Sequence, residues 1–227
     1  MNKRNYQKEL DKVLEGLDYR PSLLIHSCCG PCSSYVLTYL SKYFDITVLY
    51  YNPNIYPPEE FDKRKKEQKR LIEALNRDLR ISDEEDGISV MPEGSADIRF
   101  VAGDYDPEVF FEMAKGLEDV PEGGERCFKC YELRMREAAI MAKEGGYDYF
   151  TTTLSISPLK NAEKINEIGE ELEREYGVKH LPSDFKKRDG YKRSIELSRE
   201  YDLYRQNYCG CVFSKRDRES ENLIGTD

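Results

Sequence analysis

Ser22-Leu23-Leu24-Ile25-His26-Ser27-Cys28-Cys29-Gly30-Pro31-Cys32-Ser33 decides how this chain folds. A short apolar run reads as a buried strand, the cysteine-rich segment as the loop it enters, and residues 33–42 as a helix leaving that loop. The same sequence of events recurs along the chain. Asp45-Ile46-Thr47-Val48-Leu49-Tyr50-Tyr51 is the clearest strand, stopped by Asn52-Pro53-Asn54, and a long charged helix follows over about 58–76. Residues 97–101 form a third predicted strand, and Pro107 opens a helix over 108–115. Pro121-Glu122-Gly123-Gly124 reads as a loop delivering Cys127 and Cys130 to the head of a helix at 131–143, which Gly145-Gly146 ends. A strand at 147–153, a helix at 161–176, a short strand at 178–181 and a helix at 191–204 complete the series.

This alternation predicts an α/β fold with a doubly wound, mostly parallel five-stranded sheet and a ligand site at the carboxyl ends of the strands. The 227 residues suit a single α/β domain over 1–227, with an amphipathic N-terminal helix within 1–19 and a loosely ordered tail over 216–227. Asp83-Glu84-Glu85-Asp86-Gly87 reads as an acidic loop. The 39% hydrophobic content, with 17 tyrosines and 9 phenylalanines, is enough to build a core without cross-links.

No stretch approaches the roughly 20 apolar residues of a membrane helix, and the N-terminal segment has no signal-peptide pattern. A cytoplasmic protein is therefore expected, whose thiols stay reduced. Seven cysteines, an odd number, then point to metal binding or redox chemistry rather than structural disulfides. A net charge of −9 argues against coating nucleic acid by bulk electrostatics, though not against a local basic face.

The cysteines fall into Cys28-Cys29-Gly30-Pro31-Cys32, Cys127-Phe128-Lys129-Cys130 and Cys209-Gly210-Cys211. One CxxC alone is ambiguous between a redox pair and half a zinc or iron–sulfur site. Three clusters offer more thiolates than a four-ligand site needs, leaving a surplus for a second metal or a dithiol. A bridge across the single residue Gly210 closes a small, strained ring, as an easily reduced pair requires; alternatively Cys209 and Cys211 complete the ligand set.

Several segments together resemble the cobalamin-independent epoxyqueuosine reductases of tRNA queuosine synthesis. These are His26-Ser27-Cys28-Cys29-Gly30-Pro31-Cys32-Ser33, Tyr51-Asn52-Pro53-Asn54, Arg126-Cys127-Phe128-Lys129-Cys130-Tyr131, Thr151-Thr152-Thr153-Leu154-Ser155-Ile156-Ser157-Pro158, Ser183-Asp184-Phe185-Lys186-Lys187 and Leu203-Tyr204-Arg205-Gln206-Asn207-Tyr208-Cys209-Gly210-Cys211-Val212-Phe213-Ser214. They span about 22–214 in the family's order, while the first helix and the acidic segment 82–93 lie outside them; Tyr56 stands where that family often has His.

The resemblance implies an adenine-nucleotide alpha-hydrolase-like fold, a [4Fe–4S] cluster held by Cys28, Cys29, Cys127 and Cys130, and a redox-active pair in Cys209 and Cys211. It implies a two-electron reduction of the epoxide of epoxyqueuosine in tRNA to the alkene of queuosine, fed by an electron donor that the sequence does not name. Cys32, Cys209, Cys211 and Asp184 are further candidate ligands, the last a hard oxygen donor suited to an additional iron ion. Asp184 capping a turn is the competing reading.

Lys186, Lys187, Tyr191 and Arg193 are candidate tRNA contacts, cations for phosphate with an aromatic for stacking; a solvated loop is the alternative. The basic run at 63–70 reads as a solvated helix face, and His26 as a hydrogen-bonded core histidine before a proton donor. The 151–157 run either meets substrate or caps the next helix. Two rival functions are a non-catalytic iron–sulfur sensor or RNA-binding scaffold, and an ATP-using tRNA-thiolating enzyme. The latter needs a glycine-rich phosphate loop after the first strand, where this chain has cysteines and Pro31.

Overall fold

A computed structural model describes residues 4–84 and 96–224. Five strands, β1 (Ser22–His26), β2 (Asp45–Tyr50), β3 (Arg99–Ala102), β4 (Tyr149–Thr152) and β5 (Lys179–His180), form one sheet in the order β3-β2-β1-β4-β5. All four pairings are parallel, with Leu23 opposite Ile46 on one side of β1 and Tyr149 on the other. The order reverses between β1 and β4, so the crevice above their carboxyl ends is the place where such a sheet binds ligands. The adenine-nucleotide alpha-hydrolase-like expectation holds.

Helices α1 (Tyr6–Glu15), α2 (Gly30–Leu40) and α3 (Pro58–Glu84) cover one face of the sheet. α5 (Glu125–Glu144) and α6 (Ala162–Tyr176) cover the other, and α4 (Pro107–Ala114), α7 (Gly190–Glu200) and α8 (Val212–Ile224) surround the carboxyl edge of the site. Strand alternation sorts the core: Leu23, Ile25, Ile46 and Val48 join Leu37, Leu71 and Leu75, whereas Leu24, Leu49 and Phe150 join Met135, Ala139 and Ile168. Successive residues of a buried strand point to opposite layers, which is why these strands read as unbroken apolar runs.

The structure departs from the sequence reading at several boundaries. α2 begins at Gly30 rather than 33, with Pro31 in its first turn, where a missing N–H costs nothing. α5 begins at Glu125, so Cys127 and Cys130 lie inside its first two turns instead of in the preceding loop. α3 runs on to Glu84, taking in Asp83 and Glu84 of the expected acidic loop; residues 85–87 lie outside the described residues, as does most of the 82–93 segment. α7 stops at Glu200, and the expected loose tail is helical through Ile224 as α8.

Candidate metal centre

Each cysteine loop is set by local geometry. Cys29 is the extended residue that caps α2, and the loop before it is held from below: the Asn52 amide donates to the Ser27 carbonyl at 2.8 Å. The Ser27 and Ser33 hydroxyls hydrogen-bond each other, and each lies 2.8 Å from Gln68 Oε1, which accepts from one of them. The Sγ atoms of Cys28, Cys29 and Cys32 all lie within 4.8 Å of one another. Cys127 and Cys130, three residues apart, share one face of α5. Cys209 and Cys211 have their sulfurs 3.5 Å apart, and the Ser214 N–H at the start of α8 points at Cys211 Sγ at 3.4 Å.

Two neighbouring spaces join these loops. A cavity of about 330 Å³ is lined by Cys28, Cys32, Cys209, Lys160, Tyr191 and Gln206, within the size range of small-molecule sites. Behind it a narrow cleft is lined by Cys127, Cys130, Cys209, Cys211, Arg134 and Lys160. All seven cysteines are free thiols, and Cys209 faces both spaces.

The charges explain what the thiols prefer. Hydrogen bonds from Cys29 and Cys32 hold Cys28 well below the ordinary thiol range, so the triad favours a shared thiolate. A hydrogen bond from Cys211 does the same for Cys209, helped by Lys160. Burial pushes Cys130 up to about 11. Arg134 is only 3% exposed and donates its Nε to the Cys130 carbonyl at 3.1 Å; among the described residues no carboxylate pairs with it. Burial opposes its charge, and Cys130, Cys28 and Cys209 restore it. Buried cations need counter-charge, and among the described residues it comes chiefly from these sulfurs.

A group of soft thiol donors with anionic character beside two cations fits a metal–thiolate centre, and Cys28, Cys29 and Cys32 are a set that could hold a metal ion. The structure does not bring Cys127 and Cys130 into that 4.8 Å triad; they share the cleft with Cys209 and Cys211. Asp184 lines neither cysteine space. Its carboxylate pairs with Lys186 Nζ at 2.6 Å, in a third cavity of about 480 Å³ with Lys187, Asn161 and Lys160. Tyr191, 37% exposed, lies on the wall of the first cavity, whereas Arg193 pairs with Glu196 and Glu200 along α7.

His26 is fully buried: its Nε2 donates to the Tyr51 carbonyl at 3.0 Å and its Nδ1 accepts from the Thr152 hydroxyl at 2.9 Å, so it ties β1 to its neighbours as a core histidine. Thr152 caps the short 3-10 turn Thr153–Ile156, and Ser155 bonds Ser183 at 2.9 Å, so this run is chiefly structural; Ile156 and Ser157, at its end, reach the first cavity.

Sequence reasoning missed Arg64, Gln68, Arg134 and Lys160. The 63–70 run is not uniformly solvated, because Arg64 and Gln68 are 1% and 0% exposed. Their spacing was the available signal: Phe61, Arg64, Gln68, Leu71 and Leu75 follow the apolar stripe of α3, and a polar residue on such a stripe has a buried partner to meet. Arg64 donates Nε to Glu60 at 2.6 Å and Nη1 to the Cys209 carbonyl at 3.0 Å.

Comparison with known proteins places the whole chain rather than its single residues. The family profile described as "Epoxyqueuosine reductase QueH" matches residues 23–217. A protein of Staphylococcus epidermidis with that name is 42% identical over 217 residues, covering 93% of this chain and 85% of its own. Namesakes from Staphylococcus aureus, 42% identical over 93% of this chain and 84% of its own, and from Thermotoga maritima, 34% identical over 88% and 94%, are similar as well.

Proposed function

The chain belongs to the epoxyqueuosine reductase QueH family, and from that premise we propose that it reduces the epoxide of epoxyqueuosine in tRNA to the alkene of queuosine at its cysteine centre. It is an oxidoreductase of queuosine biosynthesis. The observation that carries the reading is the meeting of three sequence-distant cysteine loops around Arg134 and Lys160 at the β1/β4 crevice. A [4Fe–4S] cluster on Cys28, Cys29, Cys127 and Cys130 would supply one-electron transfer, and an additional iron ion Lewis acidity toward the epoxide oxygen.

The protein's own groups do the remaining work. Cys209 and Cys211, 3.5 Å apart, form the dithiol that gives two electrons and becomes a disulfide. The epoxide loses both C–O bonds, the C=C bond forms, and two protons leave with the oxygen as water. An external reductant then returns the pair to the dithiol. Tyr191 on the cavity wall stacks on a base, and Lys186 and Lys187 meet phosphate. The reaction belongs in the reducing cytoplasm, and no helix among the described residues is long and apolar enough to cross a membrane.

Anaerobic purification with iron and sulfide analysis, followed by dithionite-driven turnover on tRNA bearing epoxyqueuosine, tests the proposal. Iron and sulfide at about four or more per chain with queuosine formed is the expected result. Zinc without sulfide, or an intact cluster that never converts the epoxide, would leave a sensor or scaffold as the better account.

A further inference from the structure

Lys160 is where the three cavities meet: it lines the first with Cys28, Cys32 and Cys209, the cleft with Cys127 and Cys130, and the third with Lys186 and Asp184. The segment before α6 fixes its position, since the Lys160 N–H donates to the Ser157 carbonyl at 3.2 Å and Asn161 caps the helix. Its ammonium has neither an ion-pair nor a hydrogen-bond partner among the described residues. The two cations of the site therefore differ. Arg134 is sealed inside and tethered to the Cys130 carbonyl, so it can only balance the sulfurs. Lys160 is half-buried on the wall of the open cavity, with three donors to offer to whatever enters.

We propose that Lys160 is a catalytic residue of this reaction, donating a hydrogen bond to the epoxide oxygen and stabilising the negative charge that oxygen gains as the first C–O bond breaks. The inference rests on the reductase reading given above. The electron count is unchanged: two electrons from the Cys209/Cys211 dithiol, two C–O bonds broken, one C=C and one S–S bond formed, water released. An epoxide oxygen is neutral in the bound substrate and anionic after the first cleavage, so a fixed ammonium favours the transition state over the ground state. Burial opposes the charge of Lys160, and the neighbouring Cys209 and Cys28 favour it.

The test compares Lys160→Met and Lys160→Arg with wild type in three measurements: iron and sulfide content, affinity for tRNA bearing epoxyqueuosine, and single-turnover rate of the bound complex. Removing one such donor typically costs about 10²–10³ in rate. Lys160→Met is expected to keep its metal content and bind tRNA within about threefold, yet to lose rate by that factor; Lys160→Arg recovers at least about tenfold of it. A Lys160→Met rate within about threefold of wild type would overturn the proposal, as would metal loss in proportion to rate, or weakened tRNA binding with an unchanged rate once bound. Failure of the wild-type protein to convert the epoxide overturns the reductase reading itself, and this inference with it.

Discussion

Gly210 sits between the two cysteines of the proposed dithiol with φ near +120°, and a Cβ there would meet Ile55 Cγ1 at 2.8 Å. Its carbonyl accepts from the Tyr56 N–H at 2.9 Å, so the Tyr51–Asn54 motif and its continuation serve as a seat for the redox loop. Gly210→Ala adds both backbone strain and a clash. We expect a stability loss of about 1–3 kcal/mol by urea denaturation, with slower Cys209–Cys211 disulfide formation under mild oxidant. His180 gives a separate residue-scale prediction. Burial holds its pKa down at about 3 from an ordinary 6.5, so the unfolded chain takes up a proton below about pH 6.5 while the folded chain does not. Stability from this group is present above that pH and lost on acidification, at up to about 1.4 kcal/mol per pH unit. His180→Leu should flatten the dependence of the urea midpoint between pH 6.5 and 5; an unchanged slope would assign the acid sensitivity elsewhere.

At the scale of the element, α3 acts as a bracket. One face of it presents Glu60, Arg64, Glu67 and Gln68 to both outer cysteine loops: Gln68 to Ser27 and Ser33, Arg64 to the carbonyl of Cys209, and Glu67 to the Tyr204 N–H at 2.6 Å. Arg64→Met strands Glu60 in a mostly buried place with the Tyr204 hydroxyl as its one remaining side-chain partner among the described residues. That should cost about 3 kcal/mol in thermal or urea unfolding, the lower end for breaking a buried ion pair. Alkylation of Cys209 and Cys211 should also speed up, with Arg64→Lys recovering part of both effects. The bracket also shows the limit of sequence reading. β1 and its cysteine loop were legible because apolar runs and turn residues act locally. The start of α5 at Glu125 was not, because Gly123-Gly124 masked a helix whose first turn is carried by tertiary contacts such as Arg126 to the Leu117 and Glu118 carbonyls. Arg64 reads as an ordinary surface cation and Lys160 carries no local signal, since what makes them special is a partner, or the lack of one, from distant chain.

Over the whole molecule, a net charge of −9 means that tRNA must be met by a local patch. Lys187, exposed beside the third cavity, is the test of that patch. Lys187→Gln should weaken tRNA binding across sequences and lower the slope of log affinity against log salt by about 1, whereas Lys66→Gln on the outer side of α3 should leave both unchanged. The rival reading of Lys187 as a solvated loop residue predicts no difference between the two variants.

The parallel sheet has one more consequence, in time rather than in space. Every strand pairing that gathers the three cysteine loops is parallel and joined through intervening helices, so no two loops become neighbours by local folding. Contacts of that kind form late and slowly. Until then the chain carries seven separate thiols, each open to stray oxidation or to the wrong metal. An order of maturation follows: the chain folds first, and any metal that its thiols take would arrive second, at a finished crevice rather than a nascent chain.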